Sequence, residues 1–249
     1  MYVASSGPEN TSPVLLLHGG GVAGWMWESL QQQLESAHLT LVPDLPGHGH
    51  SAAEPYVSHS QTVRELTQIL TDMVPNQPVT VIGFSLGAQL AIQLASEHPE
   101  LVRQVVIISA QAKTMPFTKF TLKLLGITAP LARHRWFAKL QSRELFISPR
   151  QMENYIRTSS SITRESLVTA VGENMRFRLP EEWHTFPGRA LVMVGGREGR
   201  LMRDSARAVH AALPRSELEV VEGLAHGIPL QRPEWFNQRI TAWLRERII

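Results

Sequence analysis

Short apolar runs alternate along this chain with segments whose apolar residues recur every three or four positions. Residues 14–17, 39–42, 79–84, 105–108, 190–194 and 218–221 are mostly apolar runs of strand length. Between them, Leu30 and Leu34 fit one face of a short helix beginning near Trp27. Val63, Leu66, Leu70 and Met73 share a face of a second helix, for which Ser60 is the expected N-cap. A third, from Leu86 to about residue 96, turns Leu90 and Leu94 inward, and Trp235, Phe236, Ile240, Trp243 and Leu244 share a face of a C-terminal helix. Alternation of this kind predicts an α/β fold, a mostly parallel, doubly wound sheet with helices on both faces. Ligands of such sheets bind beyond the carboxyl ends of the strands. The loops after the strands are therefore the place to look for chemistry.

The alternation breaks once. Residues 112–187 carry helix-like patches and no convincing strand, which predicts a helical cap (a lid) inserted between the fourth and fifth of these strands. The core is then 1–111 with 190–249. In the cap, Phe117, Phe120, Leu122, Leu124, Leu125, Trp136 and Phe137 interleave with Lys119, Lys123, Arg133, Arg135 and Lys139. The apolar set can pack the cap onto the core or line an apolar pocket. The cations can be solvated helix faces, or can attract an anionic substrate or a membrane surface. Half of the chain's 24 Lys and Arg lie in this segment.

Composition narrows the classes. A length of 249 residues suits one domain with a modest insertion. The absence of Cys excludes disulfides, cysteine nucleophiles and thiolate metal sites, and agrees with a reducing compartment, so the expected location is cytoplasmic. The net charge of +2 is too small to imply nucleic acid, and no nucleic-acid motif is present. Residues 1–10 lack the basic-then-apolar order of a signal peptide, and no apolar run approaches the length of a membrane span. His residues do not cluster with carboxylates at ligand spacing, and no phosphate-cradling motif occurs, so neither metal nor cofactor is expected.

Gly83-Phe84-Ser85-Leu86-Gly87 matches G-x-S-x-G, follows an apolar strand and opens a helix. A sharp turn there holds the serine in a strained conformation with its hydroxyl exposed, and the flanking glycines remove Cβ atoms that would clash. An ordinary strand–helix turn with a capping Ser is the other reading. His18-Gly19-Gly20-Gly21 follows the first run. Acyl transfer needs two backbone N–H donors for the oxyanion. Leu86 N–H and Gly20 N–H are the candidates, with Gly21 the neighbouring alternative. His226 alone among ten His follows the last strand run and precedes the last helix, which suits a base for Ser85. His18 and His48 lie in Gly-rich turns and are expected to bond their own loops. His38, His59, His98 and His210 are expected on or beside helix surfaces. Glu198, in the loop after the fifth run, is the candidate acid that orients His226. Asp204 and Glu222 compete with it, and pairing of Glu198 with Arg197 or Arg200 is the alternative to that role.

With these residues in place, the chain resembles the α/β-hydrolase superfamily, among its small esterase-like and lactonase-like members with a helical cap. The resemblance rests on Leu17-His18-Gly19-Gly20, on Asp44-Leu45-Pro46-Gly47-His48-Gly49-His50-Ser51, on the turn at Ser85, and on Ala225-His226-Gly227 before Pro233-Glu234. It implies a serine hydrolase that cleaves a carboxylic ester, lactone or thioester of a small molecule with an apolar portion, without a cofactor. Two positions depart from the family's pattern: Glu198 stands where Asp is more usual, and Ala225 where Gly is common. Haloalkane dehalogenases and epoxide hydrolases of similar pattern carry Asp at the position of Ser85, which sets this chain apart. A lyase or C–C bond hydrolase on the same residues, or a ligand-binding receptor with little turnover, are the alternatives.

Overall fold

The structure, a computed structural model, describes residues 1–115, 118–129 and 134–246; Phe117 and Arg133 of the cap set lie outside them. Seven strands form one sheet: β1 (Val3–Ser6), β2 (Val14–Leu17), β3 (Thr40–Pro43), β4 (Val79–Phe84), β5 (Val102–Ile108), β6 (Arg189–Gly195) and β7 (Glu217–Val221), in the order β1-β3-β2-β4-β5-β6-β7. β1 runs antiparallel to β3, and all other pairs are parallel. The six apolar runs are β2 to β7. β1, Val-Ala-Ser-Ser, is a strand that the sequence pattern does not announce. It is a half-buried edge strand and needs no continuous apolar run.

Helices cover both faces. α1 (Glu28–Leu34) and α10 (Pro233–Arg245) lie on one side; α2 (His59–Met73), α3 (Leu86–Glu97) and α8 (Arg200–Ala212) lie on the other. Successive strand residues point to opposite faces, and β2 divides accordingly. Leu15 and Leu17 join the core of Leu66, Leu70 and Leu90, whereas Val14 and Leu16 join that of Trp27, Leu30, Phe236 and Trp243. The four-residue α9 (Ile228–Gln231) leads into α10.

The N-cap of α2 is Ser58, two residues before the expected Ser60. Ser58 has an extended backbone, and its hydroxyl accepts from Gln61 N–H at 3.1 Å. Ser60 is already helical, and its hydroxyl accepts from Gln93 Nε2. His59 is also corrected. It is buried, with Nδ1 2.9 Å from the Tyr56 hydroxyl and Nε2 2.9 Å from Gln89 Oε1. An imidazole at the first turn of α2 looks solvent-facing in sequence because its covering partner lies on a different element.

Between β5 and β6 the chain forms α4 (Thr118–Thr128), α5 (Arg135–Glu144), α6 (Met152–Ser161) and α7 (Arg164–Arg176). α4 packs on α7, and α5 on α6. They join the core through the buried Ala138, Tyr155, Ile156 and Ala170 and through hydrogen bonds: Trp25 Nε1 donates to Thr158 Oγ1, Tyr56 N–H to Ser166 Oγ, His59 N–H to Glu173 and Gln89 Nε2 to Asn174 O. Among the described residues, no helix is long and apolar enough to cross a membrane.

Candidate active site

The carboxyl ends of β2, β4, β6 and β7 bring together residues that are far apart in sequence. Ser85 stands between β4 and α3 with φ 52° and ψ −110°, a conformation that L-residues avoid. Two close approaches create the turn. A Cβ on Gly83 would lie 2.3 Å from Gly87 O, and a Cβ on Gly87 would lie 2.3 Å from Leu17 O and 2.6 Å from His18 O. Any side chain at either position would push α3 off the sheet.

His226, in the loop after β7, places Nε2 3.1 Å from Ser85 Oγ. Its Nδ1 lies 2.8 Å from Glu198 Oε2. The other Glu198 oxygen accepts from Gly195 N–H and from the Ser109 hydroxyl, each at 2.7 Å. Burial favours the neutral acid. The hydrogen bond and charge of His226, then Gly195 N–H and the Ser109 hydroxyl, outweigh it and hold Glu198 below the usual carboxylate range. Glu198 therefore pairs with neither Arg197 nor Arg200. Asp204 instead bonds Arg200 and Arg207, and Glu222 is exposed.

Ser109 is the residue that sequence reasoning misses. It follows β5 at φ 54°, and its short side chain reaches back to Glu198. The only signal was a polar residue at a strand end where no carboxylate stands. Ser109→Ala should lower the unfolding free energy in urea at neutral pH by about 1.5–3 kcal/mol, the range for a hydrogen bond to a charged group. An unchanged urea midpoint would contradict this contact.

Gly20, Ser85 and Leu86 line one cavity of about 470 Å³. Neither Gly20 N–H nor Leu86 N–H has a hydrogen-bond acceptor among the described residues. Two free backbone donors beside a hydroxyl, one at the start of a twelve-residue helix, suit a developing negative charge. Gly21 also lines the cavity, at φ 81°.

His18 holds the Gly20 loop in place. Its Nδ1 donates to Gly19 O, and its Nε2 accepts from Leu45 N–H, so only the neutral ring satisfies both bonds. Burial, then the neighbouring His48, push its pKa down to about 3. Burial also lowers His48 and His59. The unfolded chain binds these protons near pH 6.5 while the folded chain does not. Their contribution to stability is therefore complete above about pH 6.5 and is lost as pH falls below it, for His18 over the range from there towards 3. Each such group adds a slope of about 1.4 kcal/mol per pH unit. Urea unfolding between pH 6 and pH 5 should lose up to about 1.4 kcal/mol from His18 alone, and the lowered His48 and His59 deepen the loss in the same direction. A flat profile there would mean that the imidazoles are not held neutral.

The cavity's other wall comes from α4 to α7. Leu125, Phe137, Leu167 and Val171 make it largely apolar, and Glu144 is its one carboxylate. No Lys or Arg is among its described lining residues, so Lys119, Lys123, Arg135 and Lys139 face elsewhere. The Tyr155 hydroxyl has no partner among the described residues and is pushed up to about 12 by burial, so it stays a donor. No three His, Asp or Glu side chains converge as metal ligands among the described residues.

Comparison with known proteins agrees with this architecture. Residues 14–239 match the model of the alpha/beta hydrolase family, and the chain belongs to that family. It is a hydrolase. Over 249 aligned residues it is 25% identical to an uncharacterized carboxylesterase of Bacillus subtilis, covering 96% of this chain and 81% of that protein. A 100-residue stretch is 35% identical to the pimeloyl-(acyl-carrier protein) methyl ester esterase of Vibrio vulnificus, covering 40% of this chain and 37% of that protein. The fold superposes on the enol-lactonase of Burkholderia xenovorans with a TM-score of 0.83 at 17% identity, covering 98% of this chain and 96% of that one.

Proposed function

We propose that this hydrolase cleaves a carboxylic ester, lactone or thioester through an acyl-enzyme on Ser85. The observation that carries the reading is one imidazole bridging two groups, with Nε2 at 3.1 Å from Ser85 Oγ and Nδ1 at 2.8 Å from a buried carboxylate. Glu198 accepts a hydrogen bond from Nδ1–H, which leaves the Nε2 lone pair facing the hydroxyl. Ser85 Oγ attacks the acyl carbon while its proton passes to Nε2. Gly20 and Leu86 N–H groups receive the carbonyl oxygen as it gains charge. His226 then gives the proton to the leaving alcohol or thiol oxygen or sulfur. Water, deprotonated by the same nitrogen, releases the acid and restores Ser85.

The substrate reading follows from the cavity. Its apolar wall and the lack of Lys or Arg among its described lining residues favour a small molecule whose acyl or alkyl portion is apolar and uncharged. The names of the related esterases and of the lactonase are consistent with that class. Residues 112–187 act in this reading as the cap that shapes the pocket. The test is labelling of the purified protein with a fluorophosphonate probe, read by intact mass and peptide mapping. Rapid single labelling at Ser85 is expected. A folded protein that takes up no label, or takes it up elsewhere, would overturn the acyl-enzyme and favour a ligand-binding role.

A further inference from the structure

α4 carries apolar residues on two faces, and α5 has one broad apolar arc that runs from the cavity to the outside. Inward, Leu125 and Phe137 line the cavity. Outward, Phe120, Leu124 and Ile127 recur at i, i+4 and i+7 on α4 and are 70%, 53% and 64% exposed. On α5, Trp136 and Leu140, also four apart, are 62% and 54% exposed. Single exposed apolar residues need no explanation, but five on two helices of one segment do.

Charge identifies the partner. Lys119 and Lys123 flank the outer row of α4, and Lys139 and Arg143 that of α5; all four are exposed. Among the described residues none of the four makes an ion pair. Arg135 is the exception on these helices, held by Glu153 at 2.6 Å. Glu144, the one acid on α5, is exposed at the cavity's edge one turn beyond Leu140, so the cations on the two helices still outnumber it. Large apolar side chains between unpaired cations are the pattern of a helix that lies in a lipid interface, rings and branched chains among the acyl groups and ammonium groups at the phosphates. A protein groove would instead pair the cations with fixed carboxylates.

We propose that the outer face of α4 and α5 docks on an anionic lipid surface. The same two helices form the far wall of the cavity, so docking brings the pocket close to molecules dissolved in that surface. The docking itself is independent of the chemistry at Ser85.

The experiment is flotation of the full chain with phosphatidylcholine vesicles, with and without phosphatidylglycerol, at low and high salt. Binding to the anionic vesicles, weakened by salt, is expected. Each cation near such a surface contributes about fivefold in affinity, so Lys119→Glu with Lys123→Glu should weaken binding by on the order of 25-fold or more. Phe120→Ser with Trp136→Ser should abolish it. Quenching of wild-type fluorescence by bromine-labelled lipid, lost in Trp136→Phe, gives the same answer without a polar substitution. Ser85→Ala should float like the wild type, which separates this inference from the hydrolase mechanism. No flotation with anionic vesicles at low salt would overturn the proposal. So would binding unchanged by the Phe120 and Trp136 substitutions in a folded protein. Salt-sensitive binding to soluble poly-glutamate with none to vesicles would assign the face to an acidic protein instead.

Discussion

Ser85→Ala is expected to lower kcat/KM for an activated aryl ester by about 10⁴–10⁶-fold, the range found when a nucleophile that works with a base and an oxyanion site is removed. The loss is large because, among the described lining residues, Ser85 alone has a hydroxyl beside the imidazole that takes its proton. The described lining residues include no Cys, Lys or Asp, and Ser159, the other lining serine, gives its hydroxyl proton to Ile156 O. The substitution removes one oxygen, and His226 keeps Glu198 as its partner. The fold should persist, and a thermal midpoint near that of the wild type checks it. Residual turnover should remain above the uncatalysed rate, because Gly20 and Leu86 N–H groups still polarise a bound carbonyl. Activity within tenfold of the wild type would exclude Ser85 as the nucleophile.

The second large effect is at Glu198. Glu198→Gln should lower kcat/KM by about 10⁴-fold, as expected when the base is held in the wrong tautomer. The reason lies on the far side of the carboxylate. Oε1 accepts from both Gly195 N–H and the Ser109 hydroxyl. An amide in the same place satisfies those donors only by turning its oxygen towards them, which presents NH₂ to His226 Nδ1. Nδ1 must then accept, so Nε2 carries the proton and cannot take one from Ser85. The amide also supplies no charge for the imidazolium. Paired with Ser109→Ala, part of the loss should return, since one of the two donors that fix the amide is gone. Steady-state rates of the single and double variants measure this coupling. Equal losses in Glu198→Gln with and without Ser109 would show that the hydroxyl does not control the orientation.

Much of this arrangement is legible in the sequence because it is local. The turn at Ser85 is written in Gly83 and Gly87, whose missing side chains the backbone requires. The parallel strands show as apolar runs because both faces of the sheet are covered. What escapes depends on partners distant in sequence. Ser109 bonds a residue 89 positions away, and His59 one 30 positions away. β1 has no apolar signature because the edge position asks little of its side chains. The segment between β5 and β6 shows its helical period and its mixed charge in the sequence. Its sorting into a cavity wall without cations and an outer face with four of them is a matter of which way each helix turns, and periodicity alone does not fix that rotation.

The missing Cβ of Gly87 ties two distant stretches of chain together. Because the first turn of α3 rests directly on the carbonyls of Leu17 and His18, residues 14–21 and 83–97 share a backbone surface with no side chain between to absorb a mismatch. In chimeras of this family these two stretches should behave as a single inheritance block: a crossover that takes one from each parent should yield misfolded progeny far more often than one that moves both. The inserted helices bury Ala138, Tyr155, Ile156 and Ala170 among core residues, so they should exchange well only together with the core positions that these side chains pack against.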